Sequence, residues 1–166
     1  RIEHMPQMTS KFDKAHWIAF LLPAALLGGA YGSQYIGGLF PCEMCWWQRY
    51  PHFAAVAIAA IAFGVGNLAF RKTLVALAAL AIATSGGIAG FHAGVEYGWW
   101  EGLTACTATI SGSGDDLLKS IMNAPLVRCD VAPWSLFGIS LAGYNFLLSL
   151  GGAVAILGMT WRNKTI

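Results

Sequence analysis

Two cysteines three positions apart, Cys42 and Cys45, sit where a short break at Phe40-Pro41 runs into a long apolar segment that opens Trp46-Trp47-Gln48-Arg49. A vicinal dithiol at the mouth of an apolar helix is first of all a redox device. Closing so short a loop removes little unfolded-state entropy and tends to store strain, which makes the bond reducible and suits it to exchange. Two more cysteines, Cys106 and Cys129, follow with residues 107–128 between them. A bond there would close a loop worth roughly 3 kcal/mol on the chain-entropy model, so a static staple is a reasonable reading of that pair and a poorer one of the close pair. A c-type haem needs histidine directly after the second cysteine, where Trp46 stands. A four-cysteine zinc site would favour two close pairs, and a thioredoxin-type motif needs alternating strands and helices. No metal is expected; redox exchange at a membrane surface remains.

The surroundings of the dithiol refine this chemistry. If a helix begins near Cys45, its sulfur lies at the positive end of the macrodipole, where a thiolate is favoured. Gln48 and Arg49, three and four residues on, share the face of Cys45, and His52 continues the stripe by one turn. That face offers a thiolate, a cation and hydrogen-bond donors beside one another, as an acceptor with carbonyl oxygens would require, and a lipid-soluble quinone suits the location. The plain alternatives are an Arg49 that snorkels to headgroups and a His52 that only packs. His92 and Glu96, four apart near the end of another apolar run, form either a functional pair or a hydrogen bond that fixes helix packing.

The elements that must position these residues follow from composition. Of 166 residues, 57% are hydrophobic and only 11% charged, against about 25% charged in soluble domains; mean hydropathy is +0.58. This is the composition of an integral membrane protein. The net charge of +2 is small and the basic residues do not cluster among aromatics, so no nucleic acid is expected as a partner. Residues 1–7 lack the apolar core and cleavage site of a signal peptide. Apolar runs predict spans at about 17–36, 47–70, 73–95 and 134–159, each long enough for roughly 30 Å of hydrocarbon. The Arg71-Lys72 pair is read as the connection between the second and third. The expected fold is all-α: a single membrane domain over 1–166, a four-helix bundle with outward cysteine-bearing loops at about 37–46 and 96–133.

Orientation follows from the basic residues. Arg1, Lys11, Lys14, Arg71, Lys72, Arg162 and Lys164 flank one face, and only Arg49, Lys119 and Arg128 the other. Excess Lys and Arg in short loops marks the cytoplasmic side, so both termini are expected there and all four cysteines outside, where disulfides persist. Trp46, Trp47, Trp99, Trp100 and Trp134 gather at the outer boundary as an interfacial belt; Trp46 and Trp47 could also wall a ligand site. In the long loop, Ser111-Gly112-Ser113-Gly114 is a flexible joint, and Asp115-Asp116 open a short amphipathic pattern through Met122 that suggests a helix lying on the membrane.

Taken together, the four spans, Pro-Cys-x-x-Cys leading to Gln48-Arg49, the run 91–96, the pair Cys106 and Cys129, and Cys-Asp followed by Pro-Trp-Ser-Leu-Phe-Gly resemble the disulfide bond formation protein B (DsbB) family over nearly the whole chain. The vitamin K epoxide reductase family also pairs thiols with a quinone, but there the C-x-x-C follows the loop cysteines. The resemblance implies a thiol oxidase of the bacterial inner membrane that reoxidises a periplasmic DsbA-type thioredoxin-fold protein and passes electrons to ubiquinone or menaquinone. It implies a relay in which the partner attacks a Cys106-Cys129 disulfide at Cys106, Cys129 exchanges with Cys42, and Cys45 meets the quinone. Arg49 is expected to stabilise Cys45, with Gln48 and His92 as further quinone-binding candidates. Two other classes stay open: a membrane protein with two inert disulfides, and an oxidase dedicated to one secreted substrate.

Overall fold

A computed structural model describes residues 10–103 and 127–161 of the chain. Four helices dominate these: α1 (Ser10–Tyr35), α2 (Glu43–Phe63), α3 (Leu68–Glu96) and α4 (Leu141–Trp161), with a two-stranded ribbon, β1 (Ser135–Leu136) and β2 (Ile139–Ser140), ahead of the last. Packing runs around a ring: α1 on α2, α2 on α3, α3 on α4 and α4 back on α1. The chain is an all-α membrane bundle. Three of the helices, over Lys11–Tyr35, Leu68–Glu96 and Leu141–Trp161, are long and apolar enough to cross a membrane. The 21 residues of α2 reach about 31 Å at 1.5 Å per residue, and its first turns carry Glu43, Gln48, Arg49 and His52.

The bundle is packed with small side chains inside and large ones outside. Ala15, Ala19, Ala55, Ala59, Ala78 and Ala79 are fully buried with Val75, Ile82 and Ile156, whereas Leu21, Ile61, Leu80, Leu147 and Val154 lie open on the outer face. In lipid no hydrophobic force drives helix against helix, so close backbone approach and polar contacts must hold the bundle, and alanine permits that approach.

The helices α1 and α2 begin ahead of the expected spans, at Ser10 and Glu43, and two further boundaries are shifted for a visible reason. The connection between the second and third helices is 64–67, and Arg71 and Lys72 lie within the first turns of α3. Asn67 decides this, because its side chain caps α3 by accepting from Phe70 N at 3.0 Å. The last helix begins at Leu141 instead of Trp134. Phe137 and Gly138 both take positive φ, 51° and 78°, which turns the chain back so that Ser135 pairs with Ser140 and Leu136 with Ile139. An unbroken apolar run hid a hairpin.

The end of α3 is built closely because it carries His92 and Glu96. Gly98, at φ 71°, lets Trp99 N bond Gly94 O at 2.8 Å and its own N–H bond Val95 O at 3.1 Å, the paired bonds of a Schellman cap. The Trp100 ring then folds back onto the helix, stacking on Phe91 and donating from Nε1 to Phe91 O at 2.9 Å. A Cβ on Gly94 would meet that ring at 2.0 Å, whereas one on Gly87 would meet nothing within 4 Å. Gly94→Ala is therefore expected to destabilise the bundle by about 1–3 kcal/mol and Gly87→Ala to leave it unchanged or more stable, since alanine is the better helix former. Thermal unfolding in detergent checks both; equal effects would remove Trp100 as the reason.

Candidate functional site

Cys42 is the N-cap of α2. Its backbone is extended (φ −76°, ψ 176°) and its sulfur accepts from Cys45 N at 3.3 Å, so one of the orphan amides of the helix start points at sulfur. The two sulfurs are 2.9 Å apart. Cys42 is buried and Cys45 half-buried. Both precede the spanning part of α2. The hydrogen bond with Cys45, reinforced by burial, pushes the Cys42 thiol far above the usual range. The same bond holds Cys45 below that range against its own burial, and Arg49 adds to the effect. Cys45 is thus the more acidic thiol of the pair, as its place over the helix amides also favours.

Arg49 is turned inward. It is 6% exposed, donates from Nη1 to Gln34 Oε1 at 2.7 Å and from Nη2 to Ala30 O at 3.2 Å, and its guanidinium lies 4.8 Å from the ring centres of both Tyr31 and Trp46. Two aromatic faces and two α1 acceptors fix its position, which a snorkelling arginine lacks.

Gln48 ties the site to the other helices. Its amide nitrogen donates to Met44 O at 3.2 Å and to His92 Nδ1 at 2.8 Å, and its oxygen accepts from Asn145 Nδ2 at 2.9 Å. Asn145 in turn holds His52 Nε2 at 3.0 Å and receives Ser149 Oγ at 2.7 Å. Pro51, inside α2, removes one backbone donor and loosens that turn; the Ser85 hydroxyl meets the nearby Gln48 carbonyl at 2.8 Å. His52 belongs to this network and is buried in it.

Gln48 also fixes the tautomer of His92. With its amide hydrogens on Met44 O and Nδ1 and its oxygen occupied by Asn145, Nδ1 is an acceptor and the imidazole proton sits on Nε2. Nε2 lies 3.6 Å from Cys42 Sγ and 3.7 Å from Glu96 Oε1. Cys129 is buried beside Cys42, Met44 and Val95, with its sulfur in hydrogen-bond contact with Cys42. Donor atoms of Cys42, His92 and Cys129 all fall within 4.8 Å of one another. A metal would need the Nε2 lone pair that this tautomer uses for a proton, so the cluster is arranged to hydrogen-bond sulfur. Arg128 and Asp130 form a paired fork on either side of Cys129; it draws the Asp130 carboxyl below its usual range.

Two cavities meet at the dithiol. One, of about 240 Å³, runs into the bundle from Cys45 past Gln48, Arg49, His52, His92 and Glu96, with apolar walls from α1 and α4. The other, of about 290 Å³, lies under the loop and is lined by Cys42, Cys45, His92, Val127, Arg128 and Val131. Of the sequence candidates, Cys42, Cys45, Gln48, Arg49, His92 and Cys129 converge here. Cys106, the joint at 111–114 and the short helix expected over 115–122 lie outside the described residues. Gln34, Tyr31, Ser85 and Asn145 were missed. Asn145 did leave a trace, as an amide in an otherwise apolar span; Tyr31 and Gln34 gave none that local spacing could use.

A dithiol at a helix start, sealed into a helical membrane bundle, defines a membrane thiol oxidoreductase. The family described as disulfide bond formation protein DsbB matches residues 13–159. Relatives named disulfide bond formation protein B include those of Burkholderia ambifaria (30% identical, covering 84% of each chain) and Verminephrobacter eiseniae (30%; 81% of this chain, 75% of the relative). That of Marinobacter nauticus is 25% identical over 79% of this chain and 83% of its own. No solved structure matches the chain significantly. The chain belongs to the DsbB family of disulfide bond formation proteins.

The split between the two thiols is directly measurable. In the quinone-free reduced protein, a small alkylating reagent at a pH below the ordinary thiol range should mark Cys45 and spare Cys42. Cys42→Ala, which removes the first cause of the shift, should raise the pH at which Cys45 reacts. An unmoved midpoint would assign the shift to the helix end and Arg49 instead.

Proposed function

We propose that the protein reoxidises a periplasmic DsbA-type thioredoxin-fold partner and delivers the electrons to a membrane quinone, ubiquinone or menaquinone, in the bacterial inner membrane with both termini cytoplasmic. The observation that carries this reading is the dithiol's position as the wall between two cavities, one on the side of Cys129 and one on the side of Arg49. Electrons enter by sulfur exchange on the first side and leave on the second.

The inner cavity fits such a group by its chemistry. Its lining joins Cys45, Gln48, Arg49, His92 and Asn145 to a larger share of apolar side chains from α1 and α4. Its volume is below the roughly 300–1,000 Å³ of sites that enclose a whole ligand, which suits a ring held inside and a chain left in lipid. Arg49 would hold a carbonyl oxygen, Cys45 would face the ring, and Gln48 and His92 would keep the dithiol in place. A bound quinone supplies a sink for two electrons and two protons.

The steps of the chain itself are thiol exchanges. The partner's thiolate attacks a Cys106-Cys129 disulfide and forms a mixed disulfide at Cys106, releasing Cys129. The partner's second thiol resolves that bond, and the partner leaves oxidised. Cys129 attacks Cys42 of the oxidised close pair, and Cys45 departs as the thiolate that the helix end and Arg49 stabilise. Cys106 then attacks Cys129 to restore the loop disulfide and leave Cys42 as a thiol. Contact between Cys129 and Cys42 supports the middle exchange.

The detergent-purified protein, given a ubiquinone or menaquinone analogue and reduced DsbA-type partner, should bleach the quinone absorbance, and Cys45→Ser and Cys106→Ser should abolish it. Arg49→Lys, which loses the planar fork, should weaken quinone binding about tenfold, close to 1.4 kcal/mol. No bleaching by the wild type with either quinone would end this reading. Turnover with one secreted substrate but not with the general partner would make the protein a dedicated oxidase.

A further inference from the structure

We infer that His92 is the positioning residue of the loop cysteine: a chain of hydrogen bonds with one direction, begun at Ser85 and Asn145, presents its Nε2 proton to the Cys129 carbonyl and so rests the Cys129 sulfur on Cys42. The inference deepens the sulfur relay proposed above, resting on its exchange between Cys129 and Cys42, and adds residues that carry no sulfur.

The direction comes from two backbone carbonyls, which can only accept. The Ser85 hydroxyl meets the Gln48 carbonyl at 2.8 Å, so its hydrogen is committed there. Its oxygen is then an acceptor for Asn145 Nδ2 at 3.2 Å, and the second hydrogen of that amide goes to Gln48 Oε1 at 2.9 Å. The Gln48 nitrogen is thereby turned toward α3. The Met44 carbonyl, 3.2 Å from that nitrogen, demands the same orientation independently, because only the nitrogen of the amide can donate to it. His92 Nδ1, 2.8 Å from the Gln48 nitrogen, must therefore accept, and the one proton of the neutral ring lies on Nε2.

Nε2 faces the loop. Its hydrogen-bond partner there is the backbone of Cys129, whose carbonyl is a stronger acceptor than the Cys42 sulfur 3.6 Å away. His92 is 2% exposed and Cys129 8%, so bulk water does not compete for the proton. Reversing the chain would set the Nε2 lone pair against those of the carbonyl and leave two buried acceptors facing one another, a costly arrangement. Around Cys129, the apolar contacts with Met44, Val95 and Val127 carry no direction, and the Arg128 and Asp130 pair spans residues two apart and closes the turn locally. The carbonyl bond ties that turn to α3, and the sulfur of the same residue meets Cys42. Holding the carbonyl raises the effective concentration of one sulfur at the other.

The test needs neither quinone nor partner. In detergent-purified protein carrying Cys45→Ser and Cys106→Ser, Cys42 and Cys129 are the remaining thiols. Oxidised glutathione joins them in a disulfide, and their two electrons and two protons leave with two molecules of reduced glutathione. Thiol trapping at set glutathione ratios gives the equilibrium constant. His92→Phe, which keeps a ring and removes the donor, should lower that constant about tenfold, the scale of one net hydrogen bond, and raise the midpoint potential by about 30 mV. His92→Gln, whose amide nitrogen reaches about as far as Nε2, should recover most of the loss. Asn145→Leu, on another helix from either sulfur, should lower the constant about threefold as the Gln48 amide is freed to turn over. An unchanged constant in His92→Phe or in Asn145→Leu, or equal losses in His92→Phe and His92→Gln, overturns the proposal. Should His92→Phe not hold the fold, nitrogen NMR of isotope-labelled histidine in the unsubstituted chain, with the His92 signal assigned by its loss in His92→Gln, should show a neutral ring protonated at Nε2. A neutral ring protonated at Nδ1 overturns the proposal as well. If the wild type reduces no quinone, the functional reading above falls, and the equilibrium between Cys42 and Cys129 still decides the role of His92.

Discussion

The side-chain amide of Gln48 is the junction on which the site depends. It bonds the backbone of its own helix, the imidazole of α3 and the amide of α4 at the same time, so three of the four helices meet at one planar group. In an apolar bundle each unsatisfied polar atom is expensive, and a network of this kind is stable only when nearly complete. That constraint sets the rotation of α2, and the rotation of α2 sets where Cys42, Cys45 and Arg49 face. The fourth helix is joined by Arg49, which reaches across to Gln34 and Ala30 of α1.

Close packing makes these reaches possible. Alanines on the inner faces let the helices approach until short side chains such as Ser85 and Asn145 can bridge them. Larger residues there would separate the helices and break the polar contacts together. The dithiol end of the bundle is tightened separately, by the cap of α3 and the return of Trp100, and His92 lies 3.6 Å from Cys42 there.

The dithiol is asymmetric because its two sulfurs lie in different surroundings. Cys42 caps the helix, buried against His92 and Cys129, and keeps its proton; Cys45, one turn on, faces the inner cavity and the side of Arg49. In the relay proposed above, this asymmetry would give exchange a direction, since Cys129 touches Cys42 and Cys45 is the more acidic sulfur.

Much of this was readable along the chain. The C-x-x-C at a helix start, Arg49 one turn beyond it, the apolar runs and the i, i+4 pair His92 and Glu96 are local patterns, and spacing alone brings such groups onto one face. The ribbon ahead of α4 escaped notice because hydrophobicity does not report φ, and only the left-handed backbone at Phe137 and Gly138 turns the chain there. The shift of Arg71 and Lys72 into α3 came from a cap at Asn67 that charge had masked. Chain order by itself determined the membrane class and the thiol chemistry, since these follow from composition and from helix geometry within one turn. Tertiary structure alone decided that His92 carries its proton on Nε2, that Arg49 lies against the rings of Tyr31 and Trp46, and that one oxygen of Glu96 has no hydrogen-bond partner among the described residues. Those depend on partners from other helices, whose separation in sequence leaves no periodic trace.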